Sequence, residues 1–475
     1  MLSKFCRHAY WLTAFGRILA ITAVALTTSW AAAGAPAGET WLDPYREPAS
    51  RIIGGALAST LAWDRLAELT DSFGPRLSGS PQLENAILWA LDSMKKDGLE
   101  NVHAEKVMVP HWVRGAESAE VIRPVSRPLV MLGLGGSIGT DEEGIEAETL
   151  VVRNFDELEA AGERVRGRIV VYNVPYVSYG RTVEYRASGA SRAARLGASA
   201  VLLRSVGLAG LRTPHTGALS YAERDPKIPA AAISLEDAEM LQRCQDRGQV
   251  AVVRLRMGAH FLEEAESANV VGELRGREKP DEVVVLSGHL DSWDVGAGAV
   301  DDGGGCLVTW TALKVLKDLS LRPRRTIRVV LFTNEENGLR GGLAYRDAHK
   351  NELANHVMML ESDSGAFRPL GFGLSANDRA RTTVREIAGL LDAIGASKIE
   401  PDGGGADISP SVRAGRIPSL SLEVDGSRYF LYHHTPADTV DKLNPMDMAL
   451  GVAAVGVMSY VIADMPVRLG HDAGR

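Results

Sequence analysis

Cysteine is almost absent from this chain, with three in 475 residues. Cys6 precedes the N-terminal apolar run, so it is no lipid-attachment cysteine at a cleavage site. Cys244 and Cys306 fall in segments assigned below to different domains. No disulfide framework is expected, and the fold has to rest on its core. A basic excess is lacking too. The net charge of −8 argues against nucleic acid as a partner. The N-terminal apolar run, Ile18–Leu26, is too short and too interrupted for a membrane span. Repeats and low-complexity tracts are missing, which leaves no solenoid or fibrous reading.

What is present suits a soluble globular protein, 45% hydrophobic and 24% charged, long enough for two or three domains. Residues 1–37 read as a secretory signal. Lys4, Arg7 and Arg17 carry positive charge, Ile18–Leu26 is apolar, and small residues follow with A-x-A sites ending at Ala33 or Ala37. The expected location is secreted or periplasmic, with no stable membrane insertion after cleavage. An uncleaved N-terminal anchor is the alternative.

The spacing of Leu83, Ile87, Leu91 and Met94 predicts helix within 58–97, broken by a loop at 73–81 where Pro75 and Gly79 stand. Val102–Val109 reads as a strand. From about 121 to 258 the character changes. Strand-like runs are Thr149–Val152, Arg168–Tyr172, Ala200–Leu203 and Val250–Leu255, with a small-residue helix over Gly189–Leu196 and an extended edge segment at 226–234. None of these pieces carries a ligand cluster. From about 266 to 470 strand and helix alternate. Val283–Leu286, Ile327–Phe332, Val357–Leu360 and Ser419–Val424 are short and rich in Val, Ile and Leu, as in strands buried on both faces of a mostly parallel sheet. Helices are expected over Cys306–Leu319, Gly342–Lys350, Ala380–Leu391 and Met446–Ile462. The fold class is α/β: a mostly parallel mixed sheet flanked by helices, built from 45–120 and 261–470, with a smaller β-rich domain inserted at 121–260.

Polar residues of metal-ligand type follow the apolar strands one after another. In an open α/β sheet that is where ligands bind. His289 follows Val283–Leu286, and Asp291 stands two residues on, where its carboxylate can accept the ring's second N–H and orient the free nitrogen. Asp301 and Asp302 precede Gly303–Gly305 and a helix. Asp302 suits a cap at the helix start, while Asp301 is the candidate carboxylate to bridge two cations. Glu335 and Glu336 are adjacent, so one can bind metal while the other accepts a proton from a metal-bound water and passes it to the leaving amine. Asp363 follows VMMLES. His434 fits better than His433, because Asp438 and Thr439 can hold its loop. Gly403–Gly405 with Asp407 reads either as a plain surface turn or as a substrate-contacting loop. His103, His111, His215 and His260 lie away from the strand ends and read as surface or structural groups. The inventory of His, Asp, Glu, Asp and His suits two divalent metals sharing a carboxylate, hence metal-assisted hydrolysis.

The order H-x-D, DDG, EE, ESD and H-x-x-x-D-T over 283–440 resembles the ligand pattern of the M28 family of di-zinc metallopeptidases. The resemblance implies two zinc ions per chain. It puts His289 and Asp363 on opposite metals with Asp301 between, Glu336 completing the first site and His434 the second. It also implies Glu335 as general base and a cis peptide between Asp301 and Asp302. The longer phrases GHLDSWDVGAGAVDDGGG and LRPRRTIRVVLFTNEE resemble a branch of secreted dipeptidases, commonly homodimers, whose insert is of protease-associated type. The implied substrate is a dipeptide or short peptide. Three alternatives stay open: an aminopeptidase trimming longer peptides, a receptor-like module without catalysis, and a glutaminyl cyclase with a single zinc.

Overall fold

Runs of Val, Ile and Leu with buried side chains on both faces build the central sheet. The computed structural model describes residues 40–470 apart from Ala209. The secretory leader expected at 1–37 lies outside the described residues. Eight strands form the sheet, in the order Glu100–Val109, Ala265–Leu274, Arg325–Phe332, Lys279–His289, His356–Glu361, Ser419–Val424, Pro369–Ser375 and Lys398–Pro401. The four middle strands run parallel, with Leu286 opposite Val329 on one side and Leu360 on the other. Antiparallel pairings join Glu100–Val109 and Ala265–Leu274 at one side and Pro369–Ser375 at the other. The sheet is therefore mixed and mostly parallel. The strands Ala265–Leu274, Pro369–Ser375 and Lys398–Pro401 were not anticipated.

Helices cover this sheet. Gly304–Asp318 and Pro445–Asp464 pack against each other and against the strands. The second is long and apolar enough to cross a membrane by length and composition, yet it is buried almost throughout. Asn444 caps it, its carboxamide oxygen accepting from the amides of Met446 and Asp447 at 2.8 and 3.4 Å. The N-terminal helical region divides into Leu61–Phe73 and Pro81–Lys96, separated by the expected loop, and a further helix, Asp43–Leu57, precedes them.

A second eight-stranded sheet takes its strands from Glu117 to Met257. Its middle strands, Ile145–Val152, Ile169–Tyr172, Ala200–Arg204 and Ala230–Ile233, run parallel. It buries a core on each face, one with helices Phe155–Ala161 and Tyr179–Arg195, the other with Leu235–Asp246. The segment 226–234 is not at an edge. Ala230–Ile233 sits between Ala200–Arg204 and Met131–Gly133. Past Pro229 every residue of this strand has an N–H to donate, and small alanines fit a covered interior position. Cys244 and Cys306 are both buried free thiols.

Candidate functional site

The four middle strands bring their carboxyl ends to one edge, and the polar residues collect there. His289 closes its own strand. Glu335 and Glu336 lie just beyond Phe332, and Asp363 is two residues past Glu361. The 432–439 loop arrives from beyond Ser419–Val424, with His434 in the left-handed region at φ 61°.

Asp301 stands at the centre. Its Oδ1 is 3.2 Å from His289 Nε2, and its Oδ2 is 3.2 Å from His434 Nε2. Asp363 Oδ1 is 3.6 Å from His289 Nε2, and Glu336 Oε2 is 3.0 Å from His434 Nε2. His289 thus groups with Asp363, and His434 with Glu336, on opposite oxygens of Asp301. This corrects the expected pairing. Strand Lys279–His289 lies between Arg325–Phe332 and His356–Glu361, so a partner could come from either side. Asp363, close behind its strand, stays beside His289, whereas Glu336 reaches across to the 432–439 loop.

Proximity alone would group Asp302 with His289 and Asp363, and His433 with Asp301 and His434. Asp302 is already engaged. Its two oxygens accept the amides of Gly305 and His289, both at 3.1 Å, so it caps the helix as expected and also ties the strand end to it. His433 stacks on His434 with ring centroids 3.5 Å apart. In contrast, Asp301 Oδ2, Glu336 Oε1 and Asp363 Oδ1 are buried oxygens with no hydrogen-bond partner. Unpaired buried acceptors are costly, and three converging ones with two imidazole nitrogens match the donor set of paired zinc sites.

The peptide between Asp301 and Asp302 is cis. Asp438 holds this segment, its carboxylate accepting the amides of Ala299, Val300 and Asp301 at 2.8, 2.6 and 3.1 Å. It was expected to brace its own loop, and instead it braces the one across the site. Thr439 turns to Asp441. Gly305 is needed for close approach, since a Cβ there would lie 1.8 Å from the Ser362 carbonyl oxygen.

Asp291 also differs from expectation. The nearest acceptor for His289 Nδ1 is the backbone carbonyl of Asp291 at 3.0 Å, while the carboxylate is 3.7 Å away. The carboxylate accepts the amides of Glu335 and Glu336 at 3.1 and 3.3 Å and so orients that pair.

The charges are strongly coupled. Burial opposes the charged form of His289, but its carboxylate neighbours outweigh this and hold the ring well above its ordinary value. Burial likewise opposes Asp301, and His289 and His434 outweigh it and hold the carboxyl well below the usual range. Burial pushes Glu335 well above the usual carboxylate range and Glu336 up to about 7. His434 is raised to about 10, since Glu336 and Asp301 overcome its burial. A dication placed among these groups reverses the pattern, with carboxylates ionised and imidazoles neutral.

A cavity of about 430 Å³ opens over the cluster and is lined by Asp301, Glu335, Glu336, Asp363 and His434 among others. Tyr179 and Arg186 of the 121–260 segment line it too. That segment was expected to carry no ligand cluster, and it folds back over the site without supplying a ligand. His434 Nδ1 is 3.2 Å from the Thr216 carbonyl oxygen. His215 is buried, with Nδ1 2.8 Å from the carbonyl oxygen of His433. These contacts span more than two hundred residues, and no local pattern announces them. The Gly403–Gly405 loop is neither an exposed turn nor a wall of the cavity. It packs behind Glu361, whose carboxylate accepts the amide of Ile408 at 2.9 Å.

Arg76, in the loop before the third helix, was also missed. It is fully buried, and its guanidinium donates to the carbonyls of Leu290, Gly74, Ala297 and Gly298 at 2.7 to 3.0 Å. It thereby shapes the 290–298 loop below Asp301. Arg76→Ala strands these carbonyls and is expected to destabilise the fold by roughly 3 kcal/mol or more, seen as a lower urea midpoint at unchanged m-value. A shift below ~0.5 kcal/mol would count against this role.

The profile of peptidase family M28 matches residues 269–465. Carboxypeptidase Q of Homo sapiens is 46% identical over 408 residues, covering 86% of this chain and 86% of its own length. The crystal structure of a peptidase M28 precursor from Shewanella amazonensis SB2B superposes with a TM-score of 0.87 at 37% identity, covering 90% of this chain and 98% of that one. BSAP, a zinc aminopeptidase from Bacillus subtilis, superposes with a TM-score of 0.65 at 21% identity, covering 86% of this chain and 97% of its own, a likeness of fold alone.

Proposed function

This chain belongs to peptidase family M28, and from that premise we propose that it is an exported exopeptidase that cleaves dipeptides or short peptides with two zinc ions. It is a zinc metallopeptidase, and its similarity to carboxypeptidase Q is greater than to the aminopeptidase. The observation that carries the two-metal reading is the set of three unpartnered carboxylate oxygens facing two imidazoles around Asp301. His289 and Asp363 would hold one ion, His434 and Glu336 the other, with Asp301 between them. Bound zinc supplies Lewis-acid polarisation of the scissile carbonyl and of the attacking water.

The chain's own groups do the rest. Glu335 lines the cavity and ligates neither ion in this assignment. It accepts the proton of the attacking water and returns it to the leaving amine. Burial strengthens it as a base. Asp291 acts through the two amides it accepts, which fix where the Glu335 carboxylate points. The 121–260 segment, with its own sheet and cores, is read as an inserted domain of protease-associated type that closes one wall of the cavity. The leader pattern at 1–37 supports export. A homodimer is expected on the family resemblance.

The test combines metal analysis with a dipeptide library and blocked aminoacyl substrates. We expect two zinc ions per chain and release of both amino acids from free dipeptides. Cleavage of aminoacyl anilides with dipeptides left intact would instead establish the aminopeptidase reading.

A further inference from the structure

Among the described residues, Arg186 is the one Arg or Lys lining a cavity otherwise rich in carboxylates, among them Glu335, Glu336, Asp363 and Glu423. It is only 6% exposed. Its contacts are Tyr179 Oη at 2.7 Å, the Thr216 carbonyl oxygen at 3.3 Å and His434 Nδ1 at 3.3 Å. The last is no acceptor when His434 Nε2 gives its lone pair to a metal, as assigned above. Nδ1 then carries the ring proton and gives it to the Thr216 carbonyl. The guanidinium is left with two neutral oxygens for five N–H donors, Nε has no partner at all, and no carboxylate pairs with it among the described residues. A buried cation without a counter-ion is expensive to keep. The backbone makes room for it: a Cβ at Gly217 would lie 2.2 Å from its Nη1.

We infer that Arg186 is a specificity-determining residue that binds the free main-chain carboxylate of the substrate, so that peptides are measured from their carboxyl end. This rests on the peptidase reading above. A planar guanidinium suits a carboxylate, whereas an amino-terminal ammonium would be repelled. Tyr179, whose hydroxyl accepts from Arg186 and whose ring stacks on Phe430 with centroids 5.2 Å apart, holds the fork against the cavity wall.

The test compares Arg186→Gln and Arg186→Lys with the parent on alanyl-leucine, alanyl-leucinamide and alanyl-glutamic acid α-amide, whose side-chain carboxyl is free, with zinc content and thermal melting as controls. The parent should prefer the free dipeptide to its amide. In Arg186→Gln that preference in kcat/KM should fall about a hundredfold, chiefly through KM, while zinc stays bound, and Arg186→Lys should recover part of it. Equal losses on acid and amide, or loss of zinc, would mean that Arg186 only braces His434, and would overturn the inference. A parent that uses a side-chain carboxylate in place of the terminal one would overturn it as well. A parent that cleaves no peptide would overturn the peptidase reading itself, a failure distinct from the other two.

Discussion

Glu335→Gln is expected to lower kcat by about a thousandfold or more while the protein keeps its zinc and its melting temperature. General acid–base catalysis contributes about 10²–10⁴ in rate, and here one carboxyl would both take the proton and return it. The substitution preserves size, and the amide that ties residue 335 to Asp291 belongs to the backbone and remains. Glu335 lies outside the group of side chains closest to Asp301, so metal content should not change. Steady-state kinetics with metal analysis on the same sample reads both quantities. Near-native turnover would remove Glu335 from its role, and a loss of zinc would make it a ligand instead.

Chelation is expected to abolish activity and to destabilise the folded chain, both reversed by added zinc. Ions that bind the folded but not the unfolded chain stabilise it by about 4 kcal/mol at a thousandfold excess over Kd. Removing them also leaves Asp301, Glu336 and Asp363 confronting one another in a buried space with three unpartnered oxygens. Urea unfolding with and without chelator measures the loss. An unchanged midpoint would show that the cluster holds itself together without cations. In Asp301→Ala the added effect of chelator should shrink, since the residue facing both half-sites is gone.

Three of the candidate ligands could be singled out in the sequence because each stands at, or a few residues past, the end of an apolar strand, whereas Asp301 and His434 come later, in loops. His289, Glu336 and Asp363 needed only the rule that parallel strands end together. Which ligand stands beside which could not be read, since chain order does not give strand order. Lys279–His289 pairs with Arg325–Phe332 and His356–Glu361 alike. Arg76 resembled any loop arginine, and only the folded carbonyls around it reveal its place. Arg186, Thr216 and His215 were beyond reach for a different reason. They belong to a segment with no ligand pattern of its own, and their significance lies in where that segment folds back. The alanine-rich run at 226–234 misled through its prolines, which suggested an edge when the strand begins just beyond them.

The carbonyl of Thr216 and the hollow at Gly217 have a wider consequence. One orients the imidazole of His434, and the other leaves space for Arg186 beside it. The segment is thus no interchangeable module. A chimera that exchanged it for a relative's counterpart is expected to misalign His434 unless the 433–434 turn were exchanged with it. Evolutionary drift in either stretch is therefore constrained by the other, and paired substitutions should be accepted where single ones are not.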